Sequence, residues 1–320
     1  MSEKVVVEIG KNYIRVAEGK FQNSSIEINR FFEKNLDDNI IKEDIKVDDV
    51  LLQIELRSLF NQNKVGKKNV NVIFSGISNI LIRELEMPYV ADDKIYNMIR
   101  HEARQYFPIN IDSYILDYKQ LKIFDEGKIK KQKILIVGVH RFLIEGVINA
   151  FKNAGIKISK IDIEPNSIVK LFKNERKLNK QEDDNSYMIV NITRNGVSTS
   201  VVANNELCAT KLFSLVQLEE MFKENSEQSY DYEFSLIEDL ISESVIKFYD
   251  FVRTREEPIT NIKKIYLTGE VCQHIDISSL LRRRLNMDVE LVSDFKSVRK
   301  IESQEKSVMF AYATAFSGLI

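Results

Sequence analysis

The sequence predicts an α/β protein made of two similar halves, with a further segment inserted in the first. Three observations predict it. A strand–turn–strand–turn–strand meander opens at Val5, and another opens at Tyr187, roughly 180 residues later; repetition at that scale marks a duplicated domain, whereas solenoid units recur every ~20–50 residues. Between the two lies K-N-E-R-K-L-N-K-Q-E-D-D-N-S, residues 173–186, which has almost nothing apolar to bury and reads as a solvated connector between lobes. Apolar strands and amphipathic helices follow each meander, the pattern of sheets covered by helices.

In the first half, Val5 to Ile9 is an apolar strand. Gly10-Lys11-Asn12 turns it into a second strand over 13–18, and Gly19-Lys20 turns that into a third over 25–32. Residues 48–60 predict a helix with Val50, Leu51, Ile54 and Leu59 on or near one face. Residues 70–74 form a strand that ends at Ser75-Gly76. Glu86-Met87-Pro88 reads as a turn. Asp92 can then cap a helix, its carboxylate accepting from free amides. Ile95, Met98, Ile99, Ala103 and Tyr106 recur at helical spacing along one apolar stripe. Pro108 stops that helix, and Phe107 before it is pushed out of helical geometry. Tyr114, Leu116 and Tyr118 alternate as in a half-buried strand. Residues 134–139 (I-L-I-V-G-V) read as a strand covered on both faces. A helix over 140–154 can end at Gly155 in left-handed geometry. Ile158, Ile161 and Ile163 mark the next strand, and Pro165 opens a short helix to Phe172.

The second half repeats the opening. Strands cover 187–191, 197–203 and 206–210, with turns at Thr193 to Gly196 and at Asn204-Asn205. Helices follow over 217–223 and 234–253, the latter with Phe234, Ile237, Ile241, Val245 and Phe248 on one face. A strand over 262–267 ends in Thr268-Gly269-Glu270. A helix over 277–285, a strand over 289–292 and a closing helix over 307–317 complete the chain.

With 320 residues and 44% apolar residues, the chain can build two lobes with a large core. Its 46 basic and 48 acidic residues nearly cancel, so no clustered positive charge argues for nucleic acid. Two distant cysteines fit a reducing compartment better than a disulfide scaffold. No leader precedes the first strand, and no apolar run approaches the ~20 residues that span a bilayer. The expectation is a cytoplasmic protein that meets the membrane only through a partner.

The stretch R-E-L-E-M-P-Y-V-A-D-D-K-I-Y-N-M-I-R-H-E-A-R-Q-Y-F-P-I-N-I-D-S-Y-I-L-D-Y, residues 83–118, resembles the signature of the PilM family of type IV pilus assembly proteins. The paired meanders resemble the wider superfamily of actin, Hsp70 and sugar kinases, over nearly the whole chain. The resemblance implies an actin-like (ribonuclease H-like) duplicated two-lobed fold. Its first lobe would comprise residues 1–77 and 156–185, with a closing helix over 304–320 packing back on it. Residues 78–155 would be the inserted subdomain and 186–303 the second lobe.

The superfamily holds ATP or ADP with magnesium between hairpin turns whose backbone amides bind phosphate. The resemblance therefore places nucleotide contacts at Glu8, Gly10, Lys11 and Asn12 in the first turn. It places others at Asn191, Arg194, Asn195 and Gly196 in the second, and at Gly269 and Glu270 after a later strand. All three places are altered here. Glu8 replaces the usual Asp, Asn191 is neutral where a carboxylate would organise magnesium water, and Thr193 stands for a Gly. Glu270 puts a carboxylate where nucleotide would lie. These changes imply weak nucleotide binding or none, and a poor ATPase. Lys11 and Arg194 would offset them by pairing with phosphates, or else, with Asn195, would be solvated turn residues.

His101, His140 and His274 are too scattered for a metal site, and Cys272 with His274 gives only two ligands where zinc takes three or four. Arg282-Arg283-Arg284 reads as a solvated helix face. In the PilM family the cytosolic N-terminal tail of a PilN-type membrane protein lies in a groove beside the inserted subdomain. The resemblance puts Arg104, Tyr106, Phe107 and Pro108 at that groove. It implies a scaffold of the pilus inner-membrane complex that couples it to a motor ATPase. The alternatives are a working ATPase or small-molecule kinase of the superfamily, and an FtsA-like filament former.

Overall fold

Two mixed β-sheets of this chain carry the same strand order. The computed structural model describes residues 3–90, 92–106, 110–180, 186–221, 231–255, 259, 261–292, 294–299 and 306–320. The first half opens with β1 (Lys4–Ile9), β2 (Tyr13–Gln22) and β3 (Ser25–Asn35). A small ribbon of β4 (Ile41–Lys42) and β5 (Lys46–Val47) leads to α1 (Asp49–Gln62) and β6 (Val70–Phe74). Next come β7 (Leu81–Pro88), α2 (Asp92–Tyr106), β8 (Tyr114–Glu126), β9 (Ile129–His140), α3 (Arg141–Asn153), β10 (Ile158–Ile163) and α4 (Glu164–Leu178). The second half has β11 (Ser186–Thr193), β12 (Gly196–Ala203), β13 (Glu206–Phe213), α5 (Val216–Met221), α6 (Asp231–Thr254), β14 (Ile262–Thr268), α7 (Ser278–Leu285) and β15 (Asp288–Leu291). β16 (Val298–Arg299) and α8 (Lys306–Ser317) follow.

The first sheet runs β10-β6-β1-β2-β3-β16 and the second β15-β14-β11-β12-β13. In each, an antiparallel meander is extended by two parallel strands: β1 pairs antiparallel with β2 and parallel with β6, and β11 does the same with β12 and β14. The duplication expected from the two meanders is thus present strand for strand. β16 falls within the range 186–303 expected for the second lobe, yet it pairs with β3 of the first sheet.

Alternation along β1 sends Val5, Val7 and Ile9 toward Leu52, Leu56 and Phe60 of α1 and Leu143 and Val147 of α3. Val6 points the other way, with Ile73, toward α4 and α8. Ile168, Leu171 and Phe172 of α4 also pack with Tyr187, Ile189 and Val202 of the second sheet, so α4 is shared by both halves. Each such fully buried side chain contributes roughly 1.5–3 kcal/mol of transfer free energy. The second half buries Ile237, Ile241, Val245 and Phe248 of α6 against β11 and β14.

The insertion is the three-stranded sheet β7-β9-β8. Ile134 and Ile136 of β9 meet Ile95 and Ile99 of α2, while Leu135 and Val137 face the body of the first half. This accounts for the unbroken apolar run of β9: both of its faces are covered.

Three local expectations need correction. Asp48 caps α1, accepting from the Leu51 amide at 3.0 Å, but Val50, Leu51 and Ile54 are 60%, 39% and 54% exposed. The helix buries the expected Leu59 together with Leu52, Leu56 and Phe60, the wider of two competing apolar stripes. Glu86-Met87-Pro88 is the end of strand β7, not a turn, because Met87 is needed in the core under α2. Helix α4 continues through 173–178 into the expected connector. Its last turn carries Arg176 and Lys177, which suit the negative helix end, and its Glu175 accepts from the Lys296 and Ser297 amides at 3.0 and 2.9 Å. A 3-10 turn at Glu270–Gln273 had no counterpart in the sequence pattern.

Candidate functional site

The duplicated meanders point their first turns at each other. Gly10 lets the Tyr13 ring lie directly on the backbone: a Cβ there would sit 2.3 Å from a ring carbon. Beyond it, the Lys11 amide donates to Asn195 Oδ1 at 3.1 Å, and Asn195 Nδ2 donates to Asn12 Oδ1 at 3.0 Å. Asn195 is 1% exposed. Gly76 approaches it so closely that a Cβ would fall 2.4 Å from the Asn195 Cβ. The structure therefore brings together Gly10, Lys11, Asn12 and Asn195, and it excludes the reading of Asn195 as a solvated residue. Lys11 is not free for a phosphate either: its Nζ donates to both oxygens of Glu219, at 2.8 and 3.1 Å.

Behind the turns lies a buried charge cluster. Glu8 is fully buried. Its Oε1 accepts from the Tyr13 hydroxyl at 3.0 Å, and its Oε2 has no hydrogen-bond partner among the described residues. The Arg15 guanidinium lies 4.2 Å from the centre of the Tyr13 ring and 3.9 Å from Glu8 Oε1. Arg15 Nε donates to Glu33 at 2.6 Å, Nη1 to the Ala311 carbonyl at 2.6 Å, and Nη2 to Glu270. Arg194 of the second half closes the group. Its amide and Nε donate to Glu270 Oε1 at 2.9 and 3.0 Å, and its Nη2 donates to Glu270 Oε2 at 2.9 Å and to Glu33 at 2.8 Å. Its Nη1 reaches Asn35 at 3.1 Å. Gly269, at φ 104°, makes the junction possible, since a Cβ would strike the Ile192 carbonyl at 2.2 Å.

Burial pushes the Glu270 carboxyl up, but the Arg15 charge and the Arg194 side chain and amide override it and hold it at about 2. Glu8 goes the other way: burial raises it, and Arg15, Tyr13 and Ser75 only partly offset the rise. Asn191 does not join the cluster. Its Nδ2 donates to Glu164 Oε1 at 3.0 Å. Gly196 begins β12, with no room for a Cβ beside the Phe213 carbonyl.

Sequence reasoning missed several of these groups. Glu164 opens α4 just ahead of Pro165 and is 3% exposed. Burial raises its carboxyl to about 7; the nearby Glu8 charge adds to the rise, and Asn191 and Ser198 oppose it. It borders a cavity of about 60 Å³ between the halves, with Gly76, Ser198 and Lys211. Arg15 was legible as a lone charge inside the apolar strand Y-I-R-V-A, a placement that demands a buried partner. Glu33 and Glu219 carried no such signal, since their partners are remote in sequence.

A second concavity lies between the inserted sheet and the body of the first half. This groove of about 310 Å³ is lined by Ile115 of β8, Leu135 and Val137 of β9, Ile144 of α3, Ile161 of β10 and Leu207 of β13. Asp117, Lys119, Asp162 and Asn166 supply its polar points. Both β8 and β10 are edge strands of their sheets. Helix α2 packs on the opposite face of the inserted sheet, so Arg104 does not line the groove. It pairs with Asp112 at 3.1 Å, just ahead of β8. Tyr106 ends α2, and Phe107 and Pro108 lie outside the described residues.

Elsewhere, the arginine run 282–284 is partly tied down: Arg282 donates to the Val289 carbonyl and Arg284 pairs with Asp239. Cys272 is buried and bonds to the Thr268 carbonyl at 3.2 Å. Among the described residues, no three His, Cys, Asp or Glu side chains converge as metal ligands, and no helix is long and apolar enough to cross a membrane.

Comparison with known proteins agrees with this architecture. Among solved structures, one from a PilM-PilN type IV pilus biogenesis complex superposes with a TM-score of 0.81 at 18% identity, covering 99% of this chain and 98% of that one. The ethanolamine utilization protein EutJ from Carboxydothermus hydrogenoformans gives 0.56 at 10% identity, over 100% and 89% of the chains. A Bacteroides thetaiotaomicron protein with an actin-like ATPase fold gives 0.49 at 11% identity, over 91% and 90%. No curated protein matches by sequence. The first two likenesses agree with the α/β two-lobed fold with its insertion. The profile of the family described as type IV pilus assembly protein PilM matches residues 6–318, nearly the entire chain, and the protein with this doubled sheet and inserted subdomain belongs to that family.

Proposed function

We propose that this chain is a scaffold of the type IV pilus inner-membrane assembly complex, and that it captures the cytosolic N-terminal tail of a PilN-type membrane protein in the groove between the inserted sheet and the first lobe. The observation that carries this reading is the groove itself, apolar and flanked by two edge strands, in a member of the PilM family whose fold matches that of a PilM-PilN complex. An extended peptide gains affinity there from main-chain hydrogen bonds along an edge and from pockets for alternate side chains. Arg104 has a shaping role in this scheme: by holding Asp112 it fixes the start of β8, three residues before groove residue Ile115. The tail would hold the protein at the cytoplasmic face of the membrane, and the scaffold would couple the complex to the pilus motor ATPase.

The test is a titration of the full chain with a synthetic N-terminal PilN-type peptide, with and without Mg-ATP. Saturable binding in either condition supports the reading. Absence of binding in both defeats it.

A further inference from the structure

The positions that the fold family devotes to nucleotide are met here by the chain's own side chains. The Lys11 amide already donates to Asn195, and the Arg194 amide to Glu270. The Tyr13 ring covers Gly10, where a phosphate would approach the backbone. A triphosphate between the turns would have to part Asn195 from both Lys11 and Asn12. It would also enter beside the carboxylates of Glu8, Glu33 and Glu270. As arranged, these residues do not fit Mg-ATP.

One member of the cluster has the surroundings of a bound anion. Glu270 is 4% exposed. Its two oxygens collect the Arg194 amide, Arg194 Nε and Nη2, and Arg15 Nη2. A backbone amide and two guanidiniums converging in a site closed to water are what protein sites for phosphate and sulfate present. The carboxylate reaches that place because Gly269 adopts a positive φ that brings the following residue against the end of β11. Arg15 belongs to the first half, and Arg194 and Glu270 to the second. The anion therefore joins the halves as a bound phosphate would.

We propose that Glu270 is a resident anion that occupies the phosphate place of the cleft, so that this chain keeps its two halves closed without nucleotide, and that removing its carboxylate uncovers a site for a small polyanion such as pyrophosphate. Arg15 and Arg194 are the groups that would bind it. This goes beyond tail capture and uses a different surface, so the two stand or fall separately. If Glu270 were only one arm of an interdomain ion pair, its loss would weaken the junction without creating a binding site.

The experiment is calorimetric titration of the full-length wild type, Glu270→Ala and Glu270→Gln with pyrophosphate and, separately, with Mg-ATP, together with melting curves. The wild type is expected to bind neither ligand. Glu270→Ala is expected to bind pyrophosphate at least about tenfold more tightly than the wild type. Its lowered melting temperature should recover in pyrophosphate but not in sodium chloride of equal ionic strength, since pairing with the two guanidiniums is site-specific. Glu270→Gln fills the same volume and gains no site. Saturable binding of Mg-ATP or pyrophosphate by the wild type overturns the proposal, as does a folded Glu270→Ala protein that ignores pyrophosphate. Should Glu270→Ala fail to fold alone, it is refolded in pyrophosphate: rescue of folding by pyrophosphate and not by sodium chloride of equal ionic strength upholds the resident anion, and no rescue overturns it.

Discussion

Asn195 of the second half bonds Lys11 of the first through Oδ1, at 3.1 Å from the Lys11 amide, and with its other amide atom it holds the neighbouring Asn12. The two halves thus meet turn to turn through one carboxamide that is 1% exposed. Replacing Asn195 with Ala leaves the Lys11 amide without its acceptor and should cost about 1–3 kcal/mol of stability. A lower urea midpoint with an unchanged groove affinity for the tail peptide is the expected outcome.

Stability should fall as pH rises from about 4.5 toward 7. Glu164 has its carboxyl raised to about 7 by burial, with Glu8 adding to the effect. Between the unfolded and folded values the native state holds a proton that the unfolded chain has released. The contribution is therefore complete below the unfolded value and lost by the time the folded value is passed. Glu164→Gln mimics the protonated form and keeps an acceptor for Asn191. Its melting temperature should match the wild type near pH 4.5 and exceed it above pH 7, by an amount equivalent to at most about 3 kcal/mol. Parallel pH profiles of the two proteins would refute this.

Ile115 is 36% exposed and lines the groove, so Ile115→Glu should alter binding far more than folding. A charge among apolar lining residues should weaken the PilN-type peptide at least about tenfold, or about 1.4 kcal/mol. Fluorescence anisotropy with a labelled peptide reads this, and a circular dichroism melt confirms that the fold is kept.

The face that α1 buries is open to a simple contrast. Leu52→Ala should destabilise the protein by about 2–5 kcal/mol, whereas Val50→Ala should change stability by less than about 0.5 kcal/mol. Chemical unfolding of both variants distinguishes the two stripes.

The meanders, β6, α3 and strands β8 and β9 of the inserted sheet were legible because glycine-bearing turns and apolar runs are local signals, whereas β7 was hidden because its Met87-Pro88 end reads as a turn. The face of α1 was not, because 50, 51 and 54 satisfy helical spacing as well as 52, 56 and 60 do, and only the neighbouring sheet decides between them. The end of α4 was hidden for a related reason. Its charged residues read as solvated, yet Glu175 finds its partners more than a hundred residues downstream. At the cleft, the altered positions Glu8, Asn191 and Glu270 were visible in the sequence. What they pair with was not, since Glu270 answers to Arg15 across the halves, and Asn191 of β11 to Glu164 at the start of α4.

The company Arg15 keeps also bears on how sequences of this kind can change. Its three bond directions end on Glu33 in its own sheet, on Glu270 of the 3-10 turn after β14 in the other half, and on the main chain of α8 at Ala311. A lysine carries all its donors on one nitrogen and cannot reproduce the guanidinium's planar fork, whose three separate nitrogens reach these three acceptors. Removing any one charge leaves its buried partners short of counter-charge, and loss of one member of a buried ion pair costs about 3–5 kcal/mol. Single steps in either direction are therefore penalised. Substitutions at 15, 194 and 270 should travel in sets, and a relative that has lost one of these charges is expected to have lost its counterpart too.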